Sequence, residues 1–128
     1  MTTDDAIDYV RFLSKEARTY KMATGLKNAG DIISDVIDVI DFCVNEQCIE
    51  HDECETFAPF IEKDKPVFNI EYPKGAPDNI KASLVDEICS QKGKAAGTEG
   101  FSTVIKKMNL DGWVEYCGGK TYDTKVLS

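Results

Sequence analysis

Four short apolar runs, each closing on polar residues and separated by segments of helical spacing, most limit how this 128-residue chain can fold. The runs are "KMATGLKN", "IDFCVNEQ", "VFNIEY" and "FSTVIKKM". Strands apolar along most of their length lie inside a layered fold, and a helix between two of them returns the chain for parallel pairing. The expected class is therefore α/β, with parallel strands near residues 22–27, 40–45, 66–71 and 101–106 alternating with helices.

The intervening segments carry helix signals. Thr2 or Thr3 can cap a first helix whose opening turn holds Asp4 and Asp5, with Ile7, Val10, Leu13, Ala17 and Tyr20 at helical spacing. "IISDVIDVI" places Ile33, Val36, Ile37 and Ile40 on one side of a short helix. Asp52 or Glu53 opens "CETFAPFIEKD", with Phe57, Phe60 and Ile61 facing inward. In "NIKASLVDEICSQKG" the inner positions are Ile80, Leu84, Val85 and Ile88, and Gly93 stands just past the end.

What recurs is the polar cluster at each strand's carboxyl end: Lys27-Asn28, Asn45-Glu46-Gln47, Glu71-Tyr72 and Lys106-Lys107. In a parallel α/β fold those ends share one side of the sheet, which is where active sites gather. No Gly-rich phosphate fingerprint follows any strand, so a nucleotide-binding fold has little support. A net charge of −8 argues against nucleic acid as a partner. The apolar stretches are only a few residues long, which excludes a transmembrane helix, and Met1-Thr2-Thr3-Asp4-Asp5 has none of a signal peptide's basic and apolar regions.

Five cysteines stand out in the composition. Cys48 and Cys54 are close enough to bridge a short loop, and Cys89 and Cys117 could tie a helix to the C-terminal segment. Cys43 reads as a small buried hydrophobe. The rival is a zinc site from Cys48, His51 and Cys54, but the spacing matches no common ligand pattern and a fourth ligand is not evident. No metal is expected on that ground, and no cofactor is implied.

"GLKN", "DFCVNEQC" followed by "EHDEC", "KPVFNIEY" and "GFSTVIKKMNLDGWVEYC" occur in one order from Thr2 to Cys117, and together they resemble the carboxyl-terminal half of glycoside hydrolase family 114. Its members are endo-α-1,4-polygalactosaminidase-type enzymes, also described as α-galactosidase-like. The resemblance implies a (β/α)8 TIM barrel, of which residues 1–128 supply the second half, since a whole barrel takes about 250 residues. Residues 118–128 read as a flexible tail. It also implies secretion, the pairs Cys48–Cys54 and Cys89–Cys117, and a free Cys43. The family's other carboxylate, an Asp in a Glu-Pro-Asp-Asn segment, is expected upstream of Met1. Pro77-Asp78-Asn79 imitates that segment but follows "EYPKGA" in a loop, so Asp78 reads as a helix cap.

Glycoside hydrolysis needs two carboxyl groups flanking the bond. Glu46 is the candidate acid, its pKa expected to rise under a bound sugar, and Glu71 is the second catalytic candidate. Lys27, Asn28, Asn45 and Tyr72 are the candidate substrate contacts. Plainer roles stand beside these: Glu46 as a turn residue, Glu71 in a structural salt bridge with Lys27, Lys106 and Lys107 as solvated strand-end charges. Trp113 and Tyr116 can stack on a sugar or simply pack. The expected partner is a galactosamine- or galactose-containing polysaccharide, with an acidic cleft suited to a cationic polymer. The contrasting expectation is a catalytically dead half barrel that binds sugar at most and associates with itself through exposed strand edges.

Overall fold

Burial alternates along the first three strands, and that alternation sorts the sheet into a covered and an open face. The computed structural model describes residues 1–125. In chain order it forms α1 (Thr3–Thr19), β1 (Gly25–Lys27), α2 (Ile33–Val36), β2 (Phe42–Glu46), α3 (Ala58–Glu62), β3 (Val67–Glu71), α4 (Ala82–Cys89), β4 (Ser102–Ile105), β5 (Trp113–Tyr116) and β6 (Thr121–Asp123). Short 3-10 turns precede α2 and α3 and follow α4.

The strands make one sheet in the order β1-β2-β3-β4-β5-β6. The first four are parallel, and the last two continue the sheet antiparallel. The parallel part matches the expected alternation; the β5–β6 hairpin goes beyond it. The tail expected over 118–128 thus contains a strand at Thr121–Asp123, while residues 126–128 lie outside the described residues.

On the covered face, in-register neighbours run Leu26, Cys43 and Val67, then Asn45 and Asn69, then Glu71 and Ile105. They join a core with Ile33, Val36, Phe57, Phe60 and Ile88 from the helical layer. Each large apolar side chain buried there contributes about 1.5–3 kcal/mol. Phe42, Val44, Phe68, Ile70 and Val104 take the other parity and form the open face, where the Phe42 and Phe68 rings meet edge to face at 6.0 Å between centroids. Phe68 remains 43% exposed, so this apolar face has no layer over it among the described residues. Gly25 makes room for the Phe42 ring, which a Cβ there would meet at 2.3 Å.

Thr2 caps α1 through a capping box with Asp5. The inner positions of α1 are Ala6, Ile7, Val10, Ser14 and Ala17; Leu13 and Tyr20, expected inside, are exposed. Arg11 ties α1 to the next helical segment by pairing with Asp38 at 3.0 Å and donating to the Asp35 carbonyl. Lys65 donates to the Ile40 carbonyl at 2.6 Å and to the Ile37 carbonyl, holding the entry to β2. Asp78 does not cap α4, whose N-cap is Lys81 with no side-chain hydrogen bond. The Asp sits three residues too early to reach the first turn.

Candidate active site

β2 ends on Glu46 because the chain then turns sharply: Gln47 has a left-handed φ of 60° and its N–H donates to the Ile70 carbonyl at 2.8 Å. The side chain of Glu46 consequently stays on the open face at the strand's carboxyl end. Lys27, at the end of β1, reaches it with Nζ 3.0 Å from Oε2. Tyr72, just past β3, donates its hydroxyl to Oε1 at 2.9 Å. Three neighbouring strand ends therefore meet on one carboxylate.

Asn28, also left-handed at φ 52°, accepts the Glu46 backbone N–H on Oδ1 at 3.1 Å. It steadies Glu46 from behind rather than offering its amide carbonyl to a ligand. Lys27, Asn28, Glu46 and Tyr72 are thus brought together as the sequence suggested.

Asn45 and Glu71 are not. Both belong to the covered face, Asn45 fully buried and Glu71 only 3% exposed. Neither Asn45 amide atom has a hydrogen-bond partner among the described residues. Glu71 Oε1 accepts the Ile49 N–H at 2.9 Å and the Asn69 amide at 3.2 Å. The suggested Glu71–Lys27 bridge does not form, because β2 lies between β1 and β3 and Lys27 pairs with Glu46 instead.

Electrostatics follow the contacts. With no sugar bound, the Lys27 ammonium, and next the Tyr72 hydroxyl, hold the Glu46 carboxyl below its usual range; the rise expected from the sequence belongs to the sugar-bound state. Burial, with Glu46 adding to it, pushes the Tyr72 phenol up to about 12, so it stays a donor. Burial pushes Glu71 up while its backbone and amide donors pull it down. A carboxylate held low is ionised at neutral pH, so the stabilisation from the Glu46 contacts is present there and lost as pH falls through its lowered midpoint. Replacing Lys27 with Met should move the Glu46 midpoint upward, toward the ordinary carboxylate range. A carboxyl-detected NMR titration of the two proteins measures this; an unmoved midpoint would show that the ammonium is not what holds it.

Lys106 and Lys107 are not merely solvated. Lys106 Nζ donates to the Asp111 and Trp113 carbonyls, each at 2.9 Å, and Lys107 pairs with Asp111. They brace the turn into β5, where Trp113 is buried as packing and Tyr116 is exposed beside Tyr122. Cys48 is bonded to Cys54 and Cys89 to Cys117, while Cys43 is free and its thiol pushed up to about 11 by burial. With both sulfurs committed to each other, the zinc alternative at Cys48, His51 and Cys54 falls. The backbone role of Asn28 and the Ile49 amide partner of Glu71 had no signal in the sequence. The β5–β6 hairpin did have one, the Gly118-Gly119 turn pair between two short runs rich in aromatic and β-branched residues.

A parallel α/β sheet that collects a carboxylate, an ammonium and a phenol at its strands' carboxyl ends has the layout of an α/β enzyme. The model for "Glycoside-hydrolase family GH114" matches residues 1–122. The chain belongs to glycoside hydrolase family 114. It is similar to the crystal structure of Aspergillus fumigatus Ega3 in complex with galactosamine, at 49% identity and a TM-score of 0.79. That match covers 91% of this chain and 47% of the Ega3 chain, so this chain spans about half the length of that relative. No curated protein gives a significant match.

Proposed function

We propose that this chain supplies one catalytic carboxyl group, Glu46, to a glycoside hydrolase that cleaves α-1,4-linked galactosamine polymers at internal bonds. The observation that carries this reading is the convergence of Lys27 and Tyr72 on Glu46 at the open side of the sheet. The likeness to a protein crystallised with galactosamine adds the sugar. Its four parallel strands are read as the second half of a (β/α)8 barrel, and the remaining half would cover the apolar open face and bring the opposing Asp. The disulfides suit an extracellular enzyme.

In the substrate-free protein Glu46 is ionised, so acting as the acid requires its environment to change. A glycosidic oxygen settling against Oε2 displaces the Lys27 ammonium, and the sugar strips water from the carboxyl. Both changes raise the midpoint and let Glu46 hold the proton it passes to the departing oxygen, while the opposing carboxylate attacks the anomeric carbon or activates water. Tyr72 keeps Oε1 oriented throughout. A net charge of −8 draws a polymer carrying free amines toward the protein. Glu71 and Asn45, turned to the covered face, do not touch the sugar.

The test is a complete barrel containing this chain, incubated with de-N-acetylated α-1,4-galactosamine polymer and separately with α-galactosides. Mass spectrometry should find short galactosamine oligomers of several lengths. Release of single galactose units alone, or no cleavage, would overturn the reading.

A further inference from the structure

Glu71 and Tyr72 are consecutive, and because strand side chains alternate they reach β2's end from opposite faces. On the open face the Tyr72 hydroxyl holds the Glu46 carboxylate. On the covered face the Glu71 carboxylate accepts the N–H of Ile49, three residues past Glu46, and the Asn69 amide. The turn between those two grips is short and contains the left-handed Gln47. The Cys48–Cys54 bridge closes the same turn on its far side, with Cys48 Sγ 3.4 Å from Asn69 Oδ1.

A carboxylate with two donors on it and 3% exposure costs a good deal to desolvate. Apolar packing would fill the same volume more cheaply, so its use here calls for a role in fixing geometry. We propose that Glu71 is a positioning residue: it clamps the Gln47–Glu50 turn to the end of β3 and so sets where Glu46 stands against Lys27 and Tyr72. This deepens the assignment of Glu46 as the reacting carboxyl and rests on it for its catalytic meaning. The clamp itself is a property of the free chain.

Position and charge make opposite demands on the outcome. Were Glu71 acting on Glu46 only as a neighbouring negative charge, removing it would lower the Glu46 midpoint. If instead it places Glu46 between its two partners, loosening it raises that midpoint, because the Lys27 and Tyr72 contacts weaken. The experiment uses Glu71→Gln and Glu71→Asp in this chain without substrate, reading the Glu46 carboxyl titration and the Ile49 amide exchange by NMR. Glu71→Gln keeps the Oε1 acceptor for Ile49 and Asn69, and both readouts should stay near wild type. Glu71→Asp keeps the charge but withdraws it by one methylene. It should speed Ile49 exchange at least about tenfold, as loss of a charge-assisted hydrogen bond does, and shift the Glu46 midpoint upward.

Faster Ile49 exchange with an unmoved or lowered Glu46 midpoint would overturn the proposal. So would an Asp variant indistinguishable from wild type in both readouts. Because no substrate is used, these outcomes do not depend on which polymer the enzyme cleaves. In the complete barrel, Glu71→Gln should retain hydrolysis that Glu71→Asp lowers through kcat. Equal abolition by both would mark Glu71 as reacting directly and would also overturn the positioning role.

Discussion

Glu46→Gln in a complete barrel containing this chain should lower hydrolysis of the galactosamine polymer by at least about 10²-fold, the low end for losing a general acid. Glutamine retains the volume and one acceptor oxygen, so the Tyr72 hydroxyl keeps a partner on Oε1. What disappears is the transferable proton and the charge that pairs with Lys27. The loss should fall on kcat, with the variant as thermally stable as the parent to within about 1 kcal/mol, because a partly exposed ion pair contributes little to folding. Near-parental turnover would remove Glu46 from the reaction. If Glu71→Gln abolished turnover in the same assay, the acid would have to be sought on the covered face.

Breaking the Cys89–Cys117 bridge should carry the largest stability effect. The bridge joins the last residue of α4 to the residue after β5 across a sequence separation of 28. Loop-closure entropy alone makes a link of that span worth about 3–4 kcal/mol, against a total of about 5–15 kcal/mol for an ordinary domain. Urea unfolding of the Cys89→Ala/Cys117→Ala variant, followed without reductant, should show the midpoint drop. A change below about 1 kcal/mol would mean that the unfolded chain is already constrained without the bridge.

The parallel strands are legible because each apolar run stops on polar residues, and a run of that kind has few other places to go. β1 is shorter than its run: Met22 is 57% exposed, and pairing with β2 begins only at Gly25. The hairpin escapes a reading by periodicity because β5 and β6 have four and three residues, too few for a period to declare itself. For the site, the polar clusters read as units along the chain, whereas a strand splits them. Asn45 and Glu46 must face opposite ways, as must Glu71 and Tyr72, and the two-residue period of a strand is enough to require it. Which parity faces the open side is not in the period. It depends on where the helical layer lands, and that is settled by tertiary packing. The lowered midpoint of Glu46 is likewise out of the sequence's reach, since it depends on Lys27 lying one strand away rather than two.

The two borders of the sheet are unlike. β1 has a strand on one side only among the described residues and presents the other side in a parallel sense, while beyond β4 the polarity reverses through β5 and β6. New parallel strands can therefore be recruited at one border and are refused at the other. At the border of the parallel part, Val104 and Ile105 of β4 are engaged with Tyr116 and Glu115. The segment after residue 106 is thus a built-in stop to parallel pairing beyond β4. It satisfies that border's N–H and C=O groups and leaves β1 as the parallel edge with an open side among the described residues.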